Sequence, residues 1–277
     1  MTPGAGERGP VYATRPGTPM IGPYSINQMD DFYQALRYGQ VKPSGIMNYV
    51  QRLHIATRCP SEATVLDICC GRGLQLPVLY RYSSHIARYV GLDIAADHLD
   101  EARKRVAELD RHYGGRPFEV QFVECDVAQQ WPDMPSGQVV IYTSALEHLP
   151  RDHAITSLRH TAAALTENGT LYLSTANTTG AAPRLLQHGV HVHEWNTAEL
   201  LPVLRGAGLV LDEIIGLLPP PPEQLATTLA EQFGDGAMRW YQRLRDTVPG
   251  PFLDVVAAAA VPEVATEVLY VCSRGPR

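Results

Sequence analysis

One run of residues, Val65-Leu66-Asp67-Ile68-Cys69-Cys70-Gly71-Arg72-Gly73-Leu74, constrains this chain more than any other. Its apolar start predicts a buried strand, and its glycines predict a turn that leads into a helix. Twenty residues beyond Gly73, the short apolar run Tyr89-Val90-Gly91-Leu92 ends on Asp93. Strand, glycine turn, helix and a carboxylate at the next strand tip make a nucleoside-binding βαβ unit. The glycines let the backbone approach a ligand with no Cβ in the way. The carboxylate accepts hydrogen bonds from ribose hydroxyls.

The flanking residues decide between nucleosides. A dinucleotide fingerprint needs a third glycine three residues after the second, and Leu76 stands there. Asp67, just before the turn, would repel a pyrophosphate and attract a cation. S-adenosylmethionine (SAM) carries a sulfonium and an amino group and has no phosphate. The local charge therefore favours SAM over a nicotinamide dinucleotide, and Leu76 counts against an NAD-dependent oxidoreductase.

With these residues in place, the chain resembles the class I SAM-dependent methyltransferases of small-molecule type. Asp67 to Gly73 is similar to their first motif, with Cys69 where the first glycine usually stands. The resemblance implies that Asp67, Cys69, Gly71 and Gly73 hold the donor and that Asp93, followed by Ile94, holds its ribose. It implies that Asp126 and Val127, in Val123-Glu124-Cys125-Asp126-Val127, lie near the adenine amino group. Val139-Val140-Ile141-Tyr142-Thr143-Ser144 resembles the fourth strand and the start of the loop over the methyl donor, and Gly169-Thr170-Leu171-Tyr172-Leu173-Ser174 resembles the fifth strand. The likeness runs in order over residues 62–216, with a last strand near 267–273. The implied fold is α/β: a doubly wound, mostly parallel seven-stranded sheet.

Composition narrows the partners. The net charge of −6 argues against broad contact with a phosphate backbone, which needs a basic surface. Cysteines 59, 69, 70, 125 and 272 are odd in number and form no C-x-x-C pair, which fits a reducing cytosol better than a disulfide framework or zinc site. No apolar run approaches membrane-spanning length, and no signal-peptide pattern opens the chain. A cytoplasmic protein is expected, with a homo-oligomer left open.

Five prolines and five glycines mark residues 1–23 as a flexible tail. Helical spacing follows at 26–38 and 44–58, so residues 24–60 are expected to form lid helices, with Tyr24, Tyr33 and Tyr38 as minor site candidates. The SAM-binding core is assigned to 61–216. Its strands are expected near 63–69, 88–93, 118–124, 138–143, 169–175 and 209–216, and its helices near 73–83, 96–112, 152–166 and 197–207. Four prolines, 219–222, then stop the strand. Residues 217–263 read as a helical cap insertion, with a helix over 223–246 split at Gly234-Asp235-Gly236. The last core strand and tail occupy 264–277.

Two polar groups fall at the carboxyl edge of the expected sheet. Glu147 and His148 follow the fourth strand, and His191, His193, Glu194 and Trp195 follow the fifth. Methyl transfer from a sulfonium is an in-line displacement, driven by positioning and water exclusion, with a base where the acceptor loses a proton. Glu147, His148, His191 and His193 are the catalytic candidates, and histidine suits the task because it titrates near neutrality. His193 to Leu200 also reads as a helix start capped by Asn196 or Thr197. The competing reading makes Glu147, His148 and one of His191 or His193 the ligands of a divalent metal. That pattern is similar to the small-RNA 3′-terminal 2′-O-methyltransferases, but Ser144 stands where those enzymes place another glutamate. No metal is assigned on this basis.

The expected activity is methyl transfer from SAM, leaving S-adenosylhomocysteine (SAH), to a small, partly apolar acceptor of natural-product type in secondary metabolism. The alternatives are a metal-assisted RNA-end or nucleoside O-methyltransferase and a non-catalytic SAM-binding subunit.

Overall fold

A computed structural model describes residues 42–178 and 186–275. The expected tail, the helix at 26–38 and the three candidate tyrosines lie outside these residues.

Seven strands form one sheet. They are β1 (Thr64–Ile68), β2 (Arg88–Asp93), β3 (Glu119–Glu124), β4 (Gly137–Thr143), β5 (Leu165–Ala176), β6 (Leu209–Leu218) and β7 (Glu267–Arg274). Their spatial order is β3-β2-β1-β4-β5-β7-β6. The first five pair in parallel, whereas β7 runs antiparallel to both β5 and β6. The near-continuous apolar runs of β1, β2 and β4 are what two covered faces demand. Edge strand β3 instead mixes exposed and half-buried residues.

Helices cover both faces. On one lie α1 (Pro43–Ala56), α2 (Leu76–Tyr82) and α3 (Ala96–Tyr113). Ile46, Met47, Ile55, Leu79 and Val106 pack there against Val65, Val139, Ile141 and Leu269. On the other lie α4 (Arg151–Ala164) and α5 (Thr197–Gly206), which bury Leu158, Leu200 and Leu204 against Leu66, Val140, Leu173 and Tyr270. Alternate residues of one strand thus feed opposite cores, as strand geometry dictates. Between β6 and β7 the chain forms α6 (Pro222–Phe233), α7 (Asp235–Arg245) and α8 (Gly250–Ala258). These share a small core of their own around Leu225, Leu229, Tyr241 and Leu253.

Three boundaries differ from those expected. The helix after the glycine turn begins at Leu76, not at 73, because Gly73 is left-handed at φ 69° and Pro77 suits only the first turn of a helix. Strand β5 starts at Leu165, four residues early, where Leu165 pairs with Gly137 and its carbonyl accepts from Arg274 at 2.8 Å. That pairing ends α4 at Ala164. Strand β6 runs on to Leu218, since the four prolines begin only after it and the last of them opens α6.

Candidate active site

The carboxyl ends of β1, β2, β4 and β5 meet along one edge of the sheet, where ligands bind in open α/β folds. At the end of β1 the chain turns through left-handed residues Cys69 (φ 55°), Gly71 (φ 53°) and Gly73 (φ 69°). A Cβ added to Gly71 would meet nothing within 4 Å among the described residues. A Cβ on Gly73 would lie 2.7 Å from Leu76 Cδ1 and 3.2 Å from Ala102 Cβ. The two glycines therefore do different work: Gly71 leaves the turn open and Gly73 packs it onto α3.

Two acids frame the turn. Asp67 accepts from Tyr89 Oη at 2.7 Å. Burial pushes its carboxyl up to about 7, against the pull of that hydrogen bond and of Arg52 on α1. Asp93 accepts from the Gly71 N–H at 2.8 Å and from the Ala95 N–H at 2.9 Å, which ties the tip of β2 to the glycine turn. Ile94, beside it, is 58% exposed. Further along, Asp126 Oδ1 accepts from the Ala128 N–H at 3.0 Å. The Val127 side chain is buried, and its carbonyl accepts from Trp131 Nε1 and His160 Nδ1.

The loop after β4 opens on Ser144, left-handed at φ 48°. Its N–H donates to the Ser174 carbonyl and hydroxyl, and its Oγ donates to Glu267 Oε1 at 2.7 Å. Glu147 follows on a short 3₁₀ turn, Leu146–His148. Its carboxylate accepts from Thr175 Oγ1 at 2.8 Å, and its carbonyl accepts the N–H groups of Val192 and His193. Burial raises the Glu147 carboxyl to about 7. The backbone clamp brings His191 over the same loop, with its ring 5.3 Å from that of His148. Ligand atoms of Glu147, His148 and His191 all lie within 4.8 Å of one another, close enough to surround a divalent cation.

Hydrogen bonding sets the imidazoles. His148 Nδ1 meets the Val190 carbonyl at 3.2 Å, so Nδ1 carries the proton and Nε2 keeps a lone pair. His191 Nδ1 donates to Glu194 Oε1 in the same sense. Burial lowers the pKa of both rings, opposed by these two partners. His193 takes another direction: its Nε2 pairs with Glu199 at 3.3 Å and its ring meets Trp195 edge-on. Asn196 caps the helix that follows by accepting the Glu199 N–H at 2.8 Å.

Sequence reasoning passed over Glu267 and Arg52. Glu267 is the one acid in the run Glu267-Val268-Leu269-Tyr270-Val271-Cys272, which is the trace it leaves in the sequence. Arg52 lies on the buried face of α1, between Asn48 and Ile55, and leaves none.

Comparison with known proteins decides the family. Residues 65–169 match the profile described as a methyltransferase domain. The ubiquinone biosynthesis O-methyltransferase of Xanthomonas euvesicatoria pv. vesicatoria (strain 85-10) is 33% identical over 197 residues, 66% of this chain and 78% of that protein. The chain belongs to the class I SAM-dependent methyltransferases. Among solved structures, this methyltransferase is similar to the O-methyltransferase of a trans-AT PKS multienzyme of Brevibacillus brevis, determined with SAH. That likeness has a TM-score of 0.57 at 18% identity and covers 96% of this chain and 83% of the other. A small RNA methyltransferase gives the same TM-score at 14% identity, over 83% of this chain and 25% of its own. At such identities these two show the shared fold. SAM is the cofactor of the family, and no helix among the described residues of this methyltransferase is long and apolar enough to cross a membrane.

Proposed function

We propose that this methyltransferase transfers the SAM methyl group to a hydroxyl of a small, partly apolar acceptor, with His148 and His191 handling the hydroxyl proton. The observation that carries the reading is the convergence of Glu147, His148 and His191 at the edge where the glycine turn opens. Both imidazoles keep Nε2 as an acceptor, and both are shifted toward the neutral form that a base needs. The choice of oxygen draws on the curated relatives, whose names make them O-methyltransferases. In this reading Asp67, Cys69, Gly71 and Gly73 hold the methionine end of SAM. Asp93 takes the ribose hydroxyls, exposed Ile94 flanks the adenine, Asp126 and Val127 close its far side, and Ser144 lies by the methyl group.

The test is turnover on a panel of phenolic and polyketide-like acceptors. His148→Ala and His191→Ala are expected to lower kcat by about 10²-fold or more while SAM affinity holds. Turnover within threefold of the parent for both variants would remove the histidines from the reaction.

The spread of 4.8 Å also favours a second reading, in which a divalent cation joins the same three residues and polarises the acceptor oxygen. Activity that survives exhaustive chelation, and does not rise with added Mg²⁺ or Mn²⁺, would exclude it.

A further inference from the structure

Because β7 runs antiparallel to its neighbours, its first residue reaches the edge where the parallel strands end. That residue, Glu267, pairs across Ala176 on β5 and Leu218 on β6 and is 5% exposed. Its Oε1 accepts from Ser144 Oγ at 2.7 Å and from Ser174 Oγ at 3.3 Å. Ser144 is also fixed by its own N–H on Ser174, in a left-handed backbone that side-chain-bearing residues rarely adopt. The carboxylate is therefore bound directly to the first residue of the loop over the methyl donor.

Among the described residues, buried acids outnumber cations around it. Asp67, Glu147 and Glu194 are also buried near this edge, and Asp93 lies beyond. Arg52 on α1 is the cation that acts on both Asp67 and Glu267. Buried acids in such number are costly unless positive charge arrives. The donor brings that charge as a sulfonium. The spent product has a neutral thioether in the same place and is otherwise the same molecule apart from the lost methyl group.

We propose that Glu267, held against Ser144, supplies the negative field by which the site favours the sulfonium of SAM over the thioether of SAH. It acts on the ligand through space and touches no reacting atom. The inference rests on the reading that places Ser144 beside the methyl group. It gives the enzyme a means of releasing its product: the attraction disappears in the step that neutralises sulfur.

The experiment is calorimetric titration of the full chain with SAM and, separately, with SAH at pH 8. Glu267→Gln removes the charge and keeps an oxygen to accept from Ser144. The expected result is a Kd for SAM raised about tenfold, with that for SAH changed less than about twofold. Equal weakening of both ligands, the result expected of a structural brace, would overturn the proposal, as would no change in either. If Glu267→Gln does not fold, Glu267→Asp carries the test. Drawing the charge back by one methylene is expected to weaken SAM about threefold more than SAH, and equal effects overturn the proposal. A parent chain that binds SAH but shows no response to Glu267→Gln loses only the role of Glu267. A parent that binds neither ligand loses the cofactor site as well.

Discussion

Cys69 occupies a left-handed position at φ 55° where the family motif has glycine, and Cys70 follows it into the interior. The second of these thiols depends on a residue in another strand. A Cβ on Gly91 would stand 2.7 Å from Cys70 Sγ and 3.0 Å from the Phe122 ring. Gly91→Ala is therefore expected to cost about 1–3 kcal/mol by forcing Cys70 or Phe122 aside, as urea unfolding would show. That Asp67, Gly71 and Asp93 stand around one turn was legible in the sequence, because each lies at a strand end or glycine that a short motif marks. Gly91 was not, because its reason is a neighbour brought in by strand pairing. Asp93 yields a second prediction. Asp93→Ala leaves the Gly71 and Ala95 N–H groups without their acceptor, and SAM affinity is expected to fall at least about tenfold. Undiminished binding would separate Asp93 from the ribose.

Elements were read well wherever periodicity is local. The helices after β2 and β4, the start of α5 with its Asn196 cap, and the split between α6 and α7 at Gly234 all follow from spacing and capping residues. Asn196→Ala is expected to destabilise the fold by about 1 kcal/mol, read as a lower urea midpoint with an unchanged slope. The early start of β5 escaped notice because only its partner Gly137 and the Arg274 side chain recruit Leu165. Glu267 escaped for a related reason. Whether the first residue of a strand lies at the ligand edge or the opposite edge depends on strand direction, which neighbouring residues in sequence do not encode. His191 and His193 show the limit from the other side: two residues apart in sequence, one joins Glu147 and His148 and the other turns to Glu199. The clamp on the Glu147 carbonyl makes that choice.

Over the whole molecule, the buried acids make stability depend on pH. Asp67, Glu147 and Glu267 each have a folded-state carboxyl pushed up to about 7 by burial. A raised folded pKa contributes stability that is complete below the unfolded value and is lost as pH rises through the folded one. His54, His148 and His191 are lowered and act in the opposite sense, losing stability only as pH falls below 6.5. From pH 7 to 8 the raised carboxyls, midway through their titration, outweigh the histidines, which are already mostly neutral in both states. The melting temperature of the unliganded chain is expected to drop by about 3 °C or more over that unit, and saturating SAM should shrink the drop. A flat profile from pH 7 to 8 would show that these acids are not raised.

The antiparallel strand has a consequence in time as well as in space. Ser144 and Glu267 are 123 positions apart, and Ser174 and Glu267 are 93 apart, with three helices threaded between β6 and β7. A growing chain can finish its glycine turn and pair its first five strands long before Glu267 has been synthesised. Contacts of such long reach form late. Until β7 slots between β5 and β6, the edge strand β6 has no partner in the sheet, so on the proposed reading the adenosine side of the cofactor site forms before the sulfur side.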